Sequence, residues 1–511
     1  MQVSYTNNYI KIYLWQGISI VLNLLSFFIV ISKLSTSPSV YGIFSLCTAA
    51  SVFLAYADLG FLSACFKYAS ECFAKENREN EIKITAFSTF ILIIFVSIVS
   101  LIFFLLSFRP EFLISGLKAG SEYKIASNLL LILSLSSFNT IFQRILTIVF
   151  GIRLKDYLYQ RINILSSLLK ISSVLYFFRL GVYDIVGYFL FIQSVSLISS
   201  FIGLWLAKEK FKYDFIFFIK QIKFSKSVYD KTKGLALNSI TVTILFILYF
   251  ELDSFAIAKF LGAASVAYFA VGFTIMTFLR SVFGTVFNPF SARFNHFIGM
   301  NDIEGLKKFF IQIVLITLPI VMLPVLILTI LMEPLIVSWV GFNYQISISI
   351  GVFLVLTYII GFIGYPASIL LTALMKLKNI YIVNIFMVLV YWVGIIFTVK
   401  ELGIESFAVF KLISYLISGS YMVYFSAKFL NLNTFQFIMK IIKPSFLPIF
   451  MSILLLLLFK NFIPISENKI NLIYVIISGV ITSGFFIFIY YFTCLSFQNY
   501  CKYLFGKLYK K

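Results

Sequence analysis

From Tyr9 almost to the C-terminus, apolar runs long enough to cross a bilayer alternate with short clusters of charge. A crossing helix needs about 20 apolar residues, since each adds about 1.5 Å of rise and every backbone N–H must be satisfied within its own segment. Strands of a membrane barrel would alternate polar and apolar positions, and these runs do not. The pattern predicts an all-α polytopic membrane protein with about 14 transmembrane helices. They fall near 10–32, 41–66, 84–108, 125–150, 162–179, 184–207, 234–258, 264–290, 309–332, 346–375, 380–399, 405–427, 444–463 and 470–494.

The charge clusters orient these helices. Even-numbered connections and both ends hold most of the 41 Lys and Arg residues, whereas odd-numbered connections are short and weakly charged. Basic residues are retained on the cytoplasmic side, so both termini are expected there. The even loops include 67–83, 153–161, 208–233, 293–308 and 428–443; the largest odd one, 109–124, leaves no room for an external domain. Segment 208–233 interleaves Phe and Ile with lysines, which suits an interfacial helix on anionic lipid and equally a basic linker between two bundles. Only Lys11 precedes the first apolar run and no small-residue cleavage site follows it, so that run is expected to be a retained helix.

An internal repeat refines the layout. Ile31-Ser-Lys33-Leu34 with Ser39-Val40 lines up with Ile257-Ala-Lys259-Phe260 with Ser265-Val266, and the same shift carries helices three to six onto nine to twelve. The expected organisation is a six-helix bundle over 1–207, a basic amphipathic linker over 208–233, a second six-helix bundle over 234–428, and two further helices with a tail over 429–511. Two parallel bundles around a central cavity, rocking to open it to either face, are transport machinery.

Composition narrows the classes. With 61% hydrophobic and 12% charged residues and a mean hydropathy of +1.01, no soluble core is feasible. The formal charge of +21 would suggest nucleic acid in a soluble protein, but there is no basic soluble domain to carry it. Five cysteines without ligand spacing and a single histidine, His296, predict neither a metal site nor a required disulfide. An enzyme is not expected: the first external loop, 35–40, has no acid, and His296 beside Arg293 and Asn295 reads as a surface residue.

Several segments carry a resemblance: Tyr41-Gly42, Asp58-Leu59-Gly60-Phe61, and the stretch from Leu252-Asp253 through Lys259 and Gly262 to Val266-Ala-Tyr268. The chain resembles the polysaccharide biosynthesis and O-antigen repeat-unit flippase family, within the multidrug, oligosaccharidyl-lipid and polysaccharide exporter superfamily. The resemblance implies a multi-pass protein of the bacterial inner membrane that flips an undecaprenyl-diphosphate-linked oligosaccharide for lipopolysaccharide or capsule assembly. It also implies a cationic cavity, contact with membrane lipids and with polymerase machinery, no cofactor, and a coupling ion, H⁺ or Na⁺, in some members. The nearest alternatives are a lipid II flippase and a cation-coupled drug exporter on the same architecture. Excess buried cations stand against the drug exporter, and the absence of arginine from helices one and two stands against lipid II.

Ionisable groups inside crossings cost about 2.5 to 3.5 kcal/mol each, so they should face a cavity or a partner. Arg144, Lys170, Arg280 and Lys411 are the expected cavity cations for a diphosphate, with snorkelling to the interface the competing reading for Arg144 and Arg280. Asp58 is placed to pair with Arg144 or Arg280. Glu251 and Asp253, beside Lys259, form either a solvated helix-end cluster or a coupling and ion-pair site. Pro319 and Pro324 are the leading kink candidates.

Overall fold

The computed structural model describes residues 5–54, 60–117 and 120–508, and among these every regular element is helical. The chain divides into two units, Met1–Ala270 and Val271–Lys511. The first holds α1 (Tyr5–Ser26), α2 (Ser32–Leu34), α3 (Pro38–Leu54), α4 (Phe61–Ala74), α5 (Arg78–Phe108), α6 (Ser121–Ser136), α7 (Asn139–Ile152) and α8 (Asp156–Phe177). It continues with α9 (Ile185–Phe211), α10 (Phe215–Lys220), α11 (Lys226–Phe246), α12 (Asp253–Leu261) and the start of α13 (Ala263–Phe287). The second contains the rest of α13, α14 (Phe290–Gly299), α15 (Ile303–Ile330), α16 (Met332–Val340), α17 (Ile346–Leu356), α18 (Gly361–Ala373) and α19 (Leu377–Leu402). It ends with α20 (Glu405–Phe429), α21 (Thr434–Phe462), α22 (Ile470–Thr493) and α23 (Leu495–Leu508).

Among the described residues ten helices are long and apolar enough to cross a membrane, or twelve when each of two bent pairs counts as one span. Adding α3, an apolar helix of 17 residues, and α8, whose apolar run is diluted by serines and Lys170, accounts for the expected fourteen. Helix ends depart from the apolar runs for a local reason. Asn77, Asp184, Asp302 and Asn433 cap α5, α9, α15 and α21, each side chain accepting the amide of the residue three further on. Hydropathy measures what lipid covers, whereas caps fix where the backbone begins to wind. Thus α5 starts at Arg78 and α21 at Thr434, well outside the runs that begin at 84 and 444.

Without water, helices associate through close contact and hydroxyl bonds, and the first unit uses both. A Cβ on Gly42 would stand 1.7 Å from the Ala263 carbonyl oxygen, so only glycine lets α3 meet the start of α13. Tyr41-Gly42 and Gly262-Ala263, far apart in sequence, therefore pack together. Ser100 and Ser134 exchange bonds across α5 and α6, each hydroxyl donating to the other's carbonyl at 2.9 Å.

In the second unit prolines expose carbonyls that another helix satisfies. Pro319 has no N–H for the Leu315 oxygen four residues back, and the Tyr490 hydroxyl of α22 donates to that oxygen at 2.8 Å. Pro448 likewise leaves the Pro444 carbonyl without a helical donor, and the Thr493 hydroxyl, again on α22, supplies one at 2.7 Å. Both prolines sit inside unbroken helices as a result.

Candidate functional site

Three helices of the first unit carry polar stripes at helical spacing in otherwise apolar sequence. On α7 the stripe is Thr140, Gln143, Arg144 and Thr147; on α8 it is Tyr159, Asn163, Ser166, Ser167 and Lys170; on α9 it is Ser196 and Ser199. Residues three, four and seven apart share one helix face, so each stripe projects in one direction. Together with Ser51 of α3 they line a cavity of about 390 Å³. A second cavity of about 200 Å³ shares Ser51, Thr140, Gln143, Lys170 and Ser196 and extends toward Gln193 and Asn139.

Lys170 is the hinge between the two cavities. Since α8 begins at Asp156, Lys170 lies roughly 21 Å along a helix of about 33 Å, and its ammonium donates to the Ser196 hydroxyl at 2.6 Å. Arg144 stands just past the 40° break between α6 and α7, which turns its helix within what the apolar run presents as one crossing. Ser166 and Ser199 bond to each other, and Ser200 donates to Asn139 at 2.7 Å, tying α8, α9 and α7 around the space. Among the described residues neither cavity is lined by an Asp or Glu. The chemistry on offer is two cations and a wall of hydroxyl and amide groups, a lining suited to an oxyanion and to sugar hydroxyls.

The other expected site residues are distributed elsewhere. Arg280, half-buried on α13, acts electrostatically on Tyr365 and Tyr415 within the second unit. Lys411 on α20 is fully buried, its ammonium 4.7 Å from the Tyr391 ring centroid and 5.6 Å from that of Phe273. Glu251 closes a π-turn, Ile247–Glu251, and Asp253 opens α12; they are only 5% and 1% exposed, so this is not a solvated cluster. Lys259, in the last turn of α12, is exposed and donates to the Phe112 carbonyl at 2.8 Å, while Ser115 donates to the Lys259 carbonyl. Asp58 lies outside the described residues.

A second charged locus, at the start of α5, was hidden in the sequence because its parts are far apart. Glu81, 1% exposed, accepts Arg153 at 2.6 Å and Arg78 at 3.2 Å. Arg153 also donates to the Val149 carbonyl at 2.8 Å and lies over the rings of Phe73, Phe211 and Tyr213. Burial holds its guanidinium below the ordinary arginine value, and Glu81 offsets only part of that shift. These residues border a cavity of about 550 Å³.

No protein-family model matches the sequence, and no curated protein matches it either. Solved structures do. The lipid II flippase MurJ in an inward closed conformation aligns with a TM-score of 0.70 at 16% identity, over 95% of this chain and 99% of that one. An inward-facing multidrug resistance MATE family transporter of the MOP superfamily aligns at 0.59 and 15% identity, over 81% and 98%. A MOP superfamily transporter from Pyrococcus furiosus, described by the reverse polarity of its binding pocket, aligns at 0.51 and 16% identity, over 82% and 94%. At such identities the likeness is one of architecture: this chain is a multi-pass membrane protein with the fold of the MurJ flippase and of MOP superfamily transporters.

Proposed function

We propose that this chain is a flippase that carries polyprenyl-diphosphate-linked oligosaccharide repeat units, of O-antigen or capsule type, from the cytoplasmic to the periplasmic face of a bacterial inner membrane by alternating access. The observation that carries this reading is the cavity of the first unit, with Arg144 and Lys170 set among hydroxyls and amides. A diphosphate entering the membrane must exchange water for fixed donors; arginine offers a planar fork to phosphate oxygens and lysine a compact charge. Serine, asparagine and glutamine replace the water around sugar hydroxyls. Polyprenyl tails need no such site, because the surrounding lipid is as apolar as they are.

In this reading Arg280 and Lys411 are further cations along the path, and both termini face the cytoplasm with the basic loops. Asp253, buried at the head of α12, is the candidate for a coupling proton or cation. A cation-coupled drug exporter fits less well, because cationic drugs require negative charge where these cavities offer positive. A lipid II flippase is the second reading. The likeness to MurJ favours it, and its substrate presents the same diphosphate chemistry.

The test is complementation of a strain lacking its repeat-unit flippase, scored by surface polysaccharide, with Lys170→Ala and Arg144→Ala compared to the parent at equal membrane abundance. Restoration by the parent and a loss of roughly tenfold or more in each variant is expected, the scale of one lost charge-assisted contact. Restoration retained in both variants removes these cations from the mechanism. Rescue of peptidoglycan synthesis in place of surface polysaccharide selects the lipid II reading.

A further inference from the structure

The stretch from the last turn of α9 to the first turns of α11 is short and strongly basic, and the helix at its middle is held in one orientation. Residues 208–233 contain eight lysines against Glu209, Asp214 and Asp230. Within it α10 is fixed at its start by Asp214, whose carboxylate accepts the Phe217 amide at 2.8 Å. Its inner face is anchored too: Phe218, 3% exposed, and neighbouring Tyr213, 4% exposed, belong to a buried cluster with Ile82, Val149 and Phe150. The opposite face therefore cannot turn inward to hide its apolar groups. That face presents Ile216 at 72% and Ile219 at 66% exposure, flanked by exposed Lys220 and, just beyond the helix, Lys223 and Lys226.

Position selects the partner. The ends of α9 and α11 that face α10 are charged, with Lys208, Glu209 and Lys210 on one and Lys226, Asp230, Lys231 and Lys233 on the other, so α10 joins two polar ends of apolar helices, as a segment at the headgroup level would. Two isoleucines pointing outward at that level are unfavourable in water and favourable at the acyl boundary, and lysines beside them complement phosphate. We propose that the outer face of α10 is a docking surface for anionic phospholipid, with Ile216 and Ile219 seated below the headgroups and Lys220, Lys223 and Lys226 on their phosphates. The 26-residue segment then acts as an electrostatic anchor, and the contact that the outer face of α10 makes with the bilayer depends on lipid charge.

The test uses the full chain in nanodiscs of phosphatidylcholine alone or with roughly 30% phosphatidylglycerol, enough to give a strongly negative surface. Both leaflets are identical and no substrate is present, so the result is independent of sidedness and of what the protein transports. A nitroxide is placed by Ile219→Cys in a Cys501→Ser background, the other four cysteines being buried. Power saturation then compares its access to oxygen and to a water-soluble nickel chelate. Lipid-like access is expected in the anionic discs. The oxygen-to-nickel ratio should fall about threefold or more in phosphatidylcholine discs, and again in anionic discs when Lys220, Lys223 and Lys226 are replaced by Gln. Water-like access in both lipids overturns the membrane as partner, and equal lipid-like access in both overturns the anionic headgroup. The lipid comparison on the native lysines decides the matter even should the triple replacement fold poorly.

Discussion

Arg153 and Lys170 are cations of the same unit, seventeen positions apart, one just after α7 and the other within α8, yet their surroundings are opposite. Arg153 is closed in by a carboxylate, a backbone carbonyl and three aromatic rings. Lys170 meets a serine hydroxyl and a cavity wall without carboxylates among the described residues. A cation whose charge is already neutralised holds the fold; one that meets a hydroxyl, with no carboxylate beside it among the described residues, retains its field for an arriving anion. Charge count cannot separate these roles, whereas the nearest neighbours can.

The strongest way to break this comparison is Glu81→Ala, which leaves Arg153 buried without its carboxylate. A loss of about 3–5 kcal/mol is expected, because an uncompensated buried charge costs more than the pair contributed. Thermal unfolding of the purified protein should show a large drop in Tm, and membrane abundance should fall with it. Pairing Glu81→Leu with Arg153→Met should recover much of the loss, since an apolar pair of similar size carries no desolvation penalty. A Tm unchanged in Glu81→Ala would mean that Arg153 is not structural, and the contrast with Lys170 would collapse.

Next in size is Tyr490→Phe. It removes the hydroxyl that donates to the carbonyl that Pro319 leaves behind in α15. An unsatisfied buried carbonyl costs about 1–3 kcal/mol, so Tm should fall clearly but less than in Glu81→Ala. Pro319→Ala in the Tyr490→Phe background should restore it by returning a helical N–H to Leu315. Recovery absent in that double variant would detach the tyrosine from the proline.

How much of this was legible in the sequence follows from the range of the interactions. Apolar runs depend on adjacent residues, and they locate the spans. Lys170 was legible because a lysine deep in an apolar run has few places to go. The Ser, Thr, Asn and Gln stripes on α7 and α8 were present at spacings of three and four, but their small polar groups barely lower hydropathy, so they do not register beside the charges. Glu81 and Arg153 lie in two different basic loops by sequence, and only folding brings them within 2.6 Å. The tyrosine that answers Pro319 lies still further along the chain, and no local pattern links them. The 40° break before Arg144 also escapes hydropathy, because both halves are apolar.

Smaller again is the expected stability effect of Lys170→Gln. The substitution deletes one bond to Ser196 but also removes a charge from a low-dielectric setting, and the two terms oppose each other. Tm should be unchanged or slightly raised, within about 1 kcal/mol, even where transport is lost. A fall approaching that of Glu81→Ala would place Lys170 with Arg153 as a structural cation.

The smallest expected effect sharpens the rule from the other side. Lys83 and Glu79 form an ion pair at 2.6 Å on the same first turns of α5 that carry Glu81. Its geometry is as short as that of Arg153 with Glu81, but its side chains are 39% and 66% exposed. Water already solvates both charges, so little is gained when they meet, and ordering two long side chains offsets part of that. Lys83→Ala should therefore shift stability by about 0.5 kcal/mol or less, and added salt should abolish even that difference. Were Lys83→Ala to match Glu81→Ala in a melt, distance rather than burial would govern these pairs, and a short contact alone would mark a structural cation.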